Sequence, residues 1–321
     1  MDFFKEAFEK IKILKPKIKD STINQYLLNI KKISKELFKS EKPCIHYFKD
    51  FESIKEYLLT FKSLASQKNL VTSILVLVKS YPEHIIPETI ELYSDYHKEL
   101  SKKQEDSYLD NVKTEREEKN WISRKDIDEK ICSIKKEISN KKSKNTKRCL
   151  IDKEQQHLVL NLYTLLPPLR NDYVLVKVIN QDAEDETCLD TKYNFINLKT
   201  KNLLLCSYKT DKFYGIKKIE LSEQLFDIIV NWEANKKDYF KDKLSHDFLL
   251  LNTTNGTPMK HNTLTKYLNK IFYPKKVSST LLRKIYLSEK YPVTITFREQ
   301  MLDSYVMGHS IGTQKMIYSK K

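Results

Sequence analysis

The sequence predicts a mainly α-helical protein with a small antiparallel β-sheet, divided into a helical N-terminal domain and a mixed α/β C-terminal domain. Three observations predict it. Apolar residues recur at three- and four-residue spacing through the first hundred positions; the stretch from Ser101 to Asn120 is polar and almost free of aliphatic residues; and short β-prone runs cluster at 193–221, with helix-like patterns on either side. At 321 residues the chain is long enough for two separate cores.

In the N-terminal domain, residues 1–100, the clearest element follows Asp20-Ser21, where Ile23, Tyr26, Leu27, Ile30, Ile33 and Leu37 form one apolar stripe and Asp20 or Ser21 is expected to cap the helix. Further helices are expected over about 51–64, 70–81 and 87–100, the last with proline in its first turn, which together give a bundle of four or five helices. Residues 101–120 are expected to link the domains. The second domain, 121–321, opens with Ser123 and Asp126 as a capping pair before a helix through Ile138. A basic loop (140–148) and a helix (152–166) follow, the latter stopped by Pro167-Pro168 with Arg170 just beyond. Runs at 193–198, 203–208 and 216–221 predict the sheet, and Asp247 to Leu251 an edge strand before an Asn255-Gly256 turn. Helical patterns return over about 262–272, 278–289, 297–307 and 313–318. There is no internal repeat.

Fifty-eight Lys and Arg against 43 Asp and Glu leave a net charge of +15, which favours a polyanionic partner; nucleic acid and an acidic membrane surface both fit. No apolar run approaches the roughly 20 residues needed to cross a bilayer, and the start, Met1-Asp2-Phe3-Phe4-Lys5-Glu6, lacks a signal-like basic and apolar pattern, so an intracellular, unsecreted protein is expected. Cys44, Cys132, Cys149, Cys188 and Cys206 have no paired spacing and are read as reduced, with neither disulfides nor structural zinc. Only four glycines occur, too few for the cradles of dinucleotide- or phosphate-binding loops, which argues against an ATP-driven mechanism. No cofactor and no metal are expected. Heavy use of Lys, Asn and Ile suggests an A+T-rich genome, as in many parasites, mobile elements and large DNA viruses.

The residues that carry chemistry lie near the end. In Met307-Gly308-His309-Ser310-Ile311-Gly312-Thr313-Gln314-Lys315-Met316-Ile317-Tyr318, a Gly-His pair closes an apolar helix and a tyrosine follows His309 by nine residues. Arg283 lies in Ser278-Ser279-Thr280-Leu281-Leu282-Arg283, and Arg170 in Leu165-Leu166-Pro167-Pro168-Leu169-Arg170-Asn171-Asp172-Tyr173. Breaking a phosphodiester without metal or nucleotide needs a nucleophile, cations for the non-bridging oxygens and an acid for the departing sugar oxygen. In this order and on these elements the residues resemble the tyrosine recombinase (phage integrase) family, most closely over 121–321 and less so over 20–100, and the Pro-Pro variant is similar to integrases of eukaryotic mobile elements and large DNA viruses.

The resemblance implies a helical, SAM-like core-DNA-binding domain and a catalytic domain that cuts and rejoins DNA through a 3′-phosphotyrosyl intermediate, with double-stranded DNA as partner. It implies Tyr318 as nucleophile, Arg170 and Arg283 as phosphate-binding cations, and His309 as a hydrogen-bonding partner of the phosphate. Lys209, in Ser207-Tyr208-Lys209-Thr210, is the expected proton donor to the 5′ oxygen, with Lys212 the alternative. The sequence departs from the family at two places. Thr280 stands where a histidine is usual, and the acid near Arg170 is two residues on, at Asp172, instead of three. A type IB topoisomerase and a DNA-binding relative whose chemistry has lapsed are the competing readings. Because only Ser319-Lys320-Lys321 follow Tyr318, exchange of a helix beyond the nucleophile is not expected; the expectation is a monomer in solution that assembles on DNA into a dimeric or tetrameric synapse.

Overall fold

The computed structural model describes residues 3–109, 113–140, 147–182, 189–291 and 297–318, and the chain divides into two compact units, Met1–Asp110 and Asn111–Lys321.

The first unit is a helical bundle of α1 (Phe3–Leu14), α2 (Asp20–Glu36), α3 (Phe51–Leu59), α4 (Leu64–Lys79) and α5 (Pro87–Leu109). Ile23, Leu27, Ile30 and Ile33 of α2 are buried as their spacing requires, against Leu70, Val71, Ile74 and Leu77 of α4 in one core cluster. Tyr93 of α5 is buried in the same cluster, and its hydroxyl donates to the Phe48 carbonyl at 3.1 Å. Helix α1 was not expected, α3 ends at Leu59, five residues short of its expected end, and three further boundaries differ. Helix α2 is entered one residue early, with Lys19 at the cap and no side-chain acceptor there, because Asp20 pairs with Lys12 instead. Helix α4 starts six residues early because the Ser63 hydroxyl accepts from the Ser66 amide. Helix α5 continues through Leu109, beyond Leu100, since its polar extension is rich in helix formers and is held by the Glu99–Lys103 pair and by Lys68 donating to Gln104.

The second unit begins with α6 (Glu115–Asn120), so much of the stretch expected to be a linker is helical. Ser123 and Asp126 form a reciprocal capping box at the start of α7 (Arg124–Ser139), and α8 (Lys147–Thr164) follows. Of the expected basic loop, 141–146 lie outside the described residues. Every residue from Leu158 to Thr164 is buried, making α8 the central helix, flanked by α7 and by α10 (Glu223–Phe240).

The sheet has four strands in the order β1 (Val176–Ile179), β2 (Asn194–Asn197), β3 (Asn202–Leu205) and β4 (Lys217–Glu220). The last three are antiparallel neighbours at the places the β-prone runs give; β1 was not among them and pairs in parallel with β2, so the sheet is mixed. Its half-buried valine and isoleucine run is too short to stand out beside the α8 pattern. The expected edge strand at 247–251 is reduced to isolated bridges, Lys177 with Phe248 and Leu251 with Pro258. The one-turn helix α9 (Asp211–Tyr214) lies between β3 and β4. After the sheet come α11 (His261–Ile271), α12 (Ser279–Lys290), α13 (Phe297–Met307) and a terminal turn, Ile311–Thr313, that widens into a π-helix over Gln314–Tyr318.

Candidate active site

Arg170 is set at the end of the Pro-Pro turn by two buried tyrosines. The Tyr163 hydroxyl donates to the Arg170 carbonyl at 3.1 Å, the Tyr173 hydroxyl donates to the Leu162 carbonyl at 2.9 Å, and the two rings meet edge to face. With its backbone fixed at both ends, Arg170 extends one guanidinium nitrogen to 3.4 Å from the Tyr318 hydroxyl.

Arg283, on the second turn of α12, is almost wholly buried. It donates to the Pro168 carbonyl at 2.9 Å and to the Met307 carbonyl at 3.1 Å, joining the Pro-Pro turn to the end of α13. Its guanidinium carbon lies 5.0 Å from the centre of the Tyr318 ring. Burial, foremost, lowers the Arg283 pKa to about 10, still protonated at neutral pH.

Tyr318 is buried among Leu287, Met307 and the partly buried Tyr286, Tyr291 and Ile317. The helix before it ends at Gly308, whose φ of +69° suits glycine; a Cβ there would also fall 2.7 Å from the Thr210 hydroxyl. That hydroxyl donates to the Gly308 carbonyl at 3.0 Å, which ties the β3–β4 connection to the end of α13. His309 stacks on Tyr318 with ring centres 5.0 Å apart. Its Nδ1 sits 3.1 Å from the Ser310 carbonyl oxygen, which can only accept, so Nδ1 bears the hydrogen and the buried Nε2, without a hydrogen-bond partner among the described residues, presents a lone pair. Burial, and then the charge of Arg283, push the His309 pKa down to about 4.

Asp172 lies beside this cluster. Burial raises its pKa, against the opposing influence of Arg170, His261 and Arg283. Asn194 of β2 connects the sheet to the same segment: its amide nitrogen donates to the Asp172 and Ser207 carbonyls, and its oxygen accepts from the Cys206 and Ser207 amides.

The structure therefore brings Arg170, Arg283, His309 and Tyr318 together. It places Lys209 and Lys212 exposed on the β3–β4 connection, one residue to either side of the Thr210 and Asp211 pair. Thr280 is exposed on the first turn of α12 and lines a cleft of about 330 Å³ with Arg116, Lys276 and Lys284; the buried hydroxyl of that turn is Ser279, bonded to Asn171 at 2.8 Å.

Two residues of this region escaped the sequence reading. Asn194 gave no signal, because its role depends on long-range contacts. Lys217, first residue of β4, did give one. It shares strand parity with Ile219, and the inward face of β4 pairs Lys217 with Leu205 and Ile219 with Leu203. Lys217 is fully buried, its ammonium has no hydrogen-bond partner among the described residues, and it lies 4.4 Å from the Tyr305 ring centre, 4.8 Å from Tyr214 and 5.0 Å from Tyr208. Burial, with a smaller effect of Arg283, pushes its pKa down to about 8.

Neither a protein-family model nor a curated protein matches the chain by sequence. Among solved structures, the chain is similar to the XerH site-specific recombinase bound to its difH substrate in a pre-cleavage complex, with 15% identity and a TM-score of 0.55 over 92% of this chain and 76% of that one. The chain has the tyrosine recombinase fold. It is also similar to the XerA recombinase, at 12% identity and a TM-score of 0.41 over 98% of this chain and 94% of that one. No described helix is long and apolar enough to cross a membrane.

Proposed function

We propose that this protein is a site-specific DNA recombinase in which Tyr318 attacks a backbone phosphorus of double-stranded DNA, forming a 3′-phosphotyrosyl bond and releasing a 5′-hydroxyl. The observation that carries the reading is the Tyr318 hydroxyl held 3.4 Å from Arg170 while its ring lies over Arg283. Two guanidinium groups around one phenol supply the positive charge that neutralises the oxygens of a phosphorane-like transition state. A phosphodiester entering this cluster supplies the negative charge that favours a proton on His309 Nε2, converting a bare lone pair into a donor to the phosphate. Lys209 acts as the proton donor to the leaving 5′ oxygen from the exposed side, its turn anchored by Thr210 on Gly308. Self-association on DNA completes the reaction, since strand exchange needs more than one active tyrosine.

The test is covalent trapping on a nicked suicide duplex. Wild-type protein should form a covalent complex. Tyr318→Phe should keep DNA binding, which phosphate contacts dominate, and form none. Undiminished trapping by Tyr318→Phe would remove the assignment. Exchange of strands between two marked duplexes, instead of relaxation of a supercoiled circle, separates a recombinase from a topoisomerase. The helical N-terminal unit supports the former.

A further inference from the structure

A lysine buried without a counter-ion is costly, and an apolar residue of the same length would fill the space at lower free energy. Among the described residues Lys217 is such a lysine. Three tyrosine rings surround its ammonium at 4.4 to 5.0 Å, the range of cation–π attraction, and they come from different places. Tyr208 and Tyr214 belong to the connection that carries Lys209, whereas Tyr305 belongs to α13, three residues before Gly308. The Tyr208 hydroxyl donates to the Gly215 carbonyl at 2.7 Å, closing the connection on itself, and the Tyr214 and Tyr305 rings meet edge to face. The Thr210–Gly308 bond is a second tie between the same two elements.

We propose that Lys217 is a positioning residue whose ammonium, clasped by tyrosines of two elements, fastens the turn bearing Lys209 to the helix end that presents His309 and Tyr318. The inference rests on the reading of the chain as a tyrosine recombinase and deepens it. Proton donation to the leaving oxygen needs Lys209 within hydrogen-bond reach at the moment the phosphorus–oxygen bond breaks. An exposed lysine on a turn has many conformations, so fixing the turn's root restricts the search; a displacement of about 1 Å already costs on the order of 100-fold in rate. Lys217 thus acts through Lys209 without touching DNA.

The test compares a nicked suicide duplex with the same duplex carrying a sulfur at the 5′-bridging position, whose departure needs no proton. Lys217→Met keeps the length and deletes the charge. It should cleave the ordinary duplex on the order of 100-fold more slowly and recover most of that loss on the sulfur substrate. Lys209→Ala should behave alike, and the double variant should be no slower than the single ones. Lys217→Arg, which keeps a cation over the rings, should retain much of the ordinary rate, and Tyr305→Leu should share the defect and its rescue. Equal loss on both substrates would leave Lys217 as a part of the fold alone and overturn the proposal. An unimpaired Lys209→Ala beside a defective, rescued Lys217→Met would overturn it in another way, by making Lys217 itself the donor. Amide hydrogen exchange provides a readout that does not depend on cleavage. Lys217→Met should accelerate exchange in both 206–216 and 302–309, and unchanged exchange in either segment would refute the latch even if the wild-type protein cleaved no DNA and the functional reading itself failed.

Discussion

Arg283 spends two of its guanidinium hydrogens on carbonyls from two different parts of the chain, Pro168 and Met307, and still lies against the Tyr318 ring. A lysine carries the same charge but is a point donor on a flexible stem and cannot span both carbonyls in one plane. Arg283→Lys is therefore expected to lose cleavage by about 100-fold or more while keeping overall DNA affinity, measured by trapping and by equilibrium binding. His309 adds a pH dependence to stability. Its folded pKa is lowered to about 4 from the ordinary 6.5, so the folded state holds it neutral. Below about pH 6.5 the unfolded chain takes up a proton that the folded protein refuses, and stability falls until pH reaches about 4. At 1.36 kcal/mol per pKa unit the loss amounts to about 3 kcal/mol at most. His309→Gln should flatten that part of the curve of unfolding free energy against pH; an identical slope in both proteins would show that His309 is not the group concerned.

At the scale of elements, the site depends on how helix ends and turns meet. Gly308 ends α13 with a positive φ and admits the Thr210 hydroxyl where a side chain would stand. Gly308→Ala should destabilise the protein by about 1–3 kcal/mol in denaturant unfolding, combining left-handed strain with the displaced hydroxyl contact. The capping box at Ser123, the three antiparallel strands and most helices were legible in the sequence because they depend on patterns within a short stretch, but α1, α6 and α10 were not among the expected helices. Strand β1 was not legible, since its four residues make too short a run to stand out, and neither was the reduction of 247–251 to bridges, since one partner, Lys177, lies 71 positions from Phe248. The inward side of Lys217 could be read from its parity with Ile219, but the tyrosine rings that make the burial tolerable come from residues up to 88 positions away, as Tyr305 shows. The approach of Arg170 to Tyr318 spans 148 positions and follows from order along the chain only by resemblance.

For the whole molecule, the arrangement of the proposed nucleophile within its own chain decides what mixing experiments give. Tyr318 stands against Arg170 and Arg283 of the same chain, on a terminal turn held to α13 by Ser304 and Gln314. Tyr318→Phe mixed with Arg170→Ala should therefore remain inactive on a suicide duplex, because neither subunit combines an intact tyrosine with an intact pocket. Restored cleavage would mean that the tyrosine crosses between subunits on DNA. The net charge of +15 also sets the conditions under which such tests are read, as affinity dominated by phosphate contacts declines steeply between 50 and 200 mM salt.

The connection between β3 and β4 is pinned at three points: at Cys206 and Ser207 by Asn194, at Thr210 by Gly308, and at Lys217 by its rings. Between the second and third points lies a stretch with Phe213 and Ile216 turned to solvent and open space around Gly215. Tyr214 and the Gly215 carbonyl in that stretch still belong to the clasp, so the side chains of Phe213 and Ile216 can change without moving any pin, whereas one residue more between Ser207 and Thr210 would pull Lys209 out of step with the anchors on both sides. Relatives of this protein are expected to vary in side chain at 213 and 216 while keeping the length of the connection.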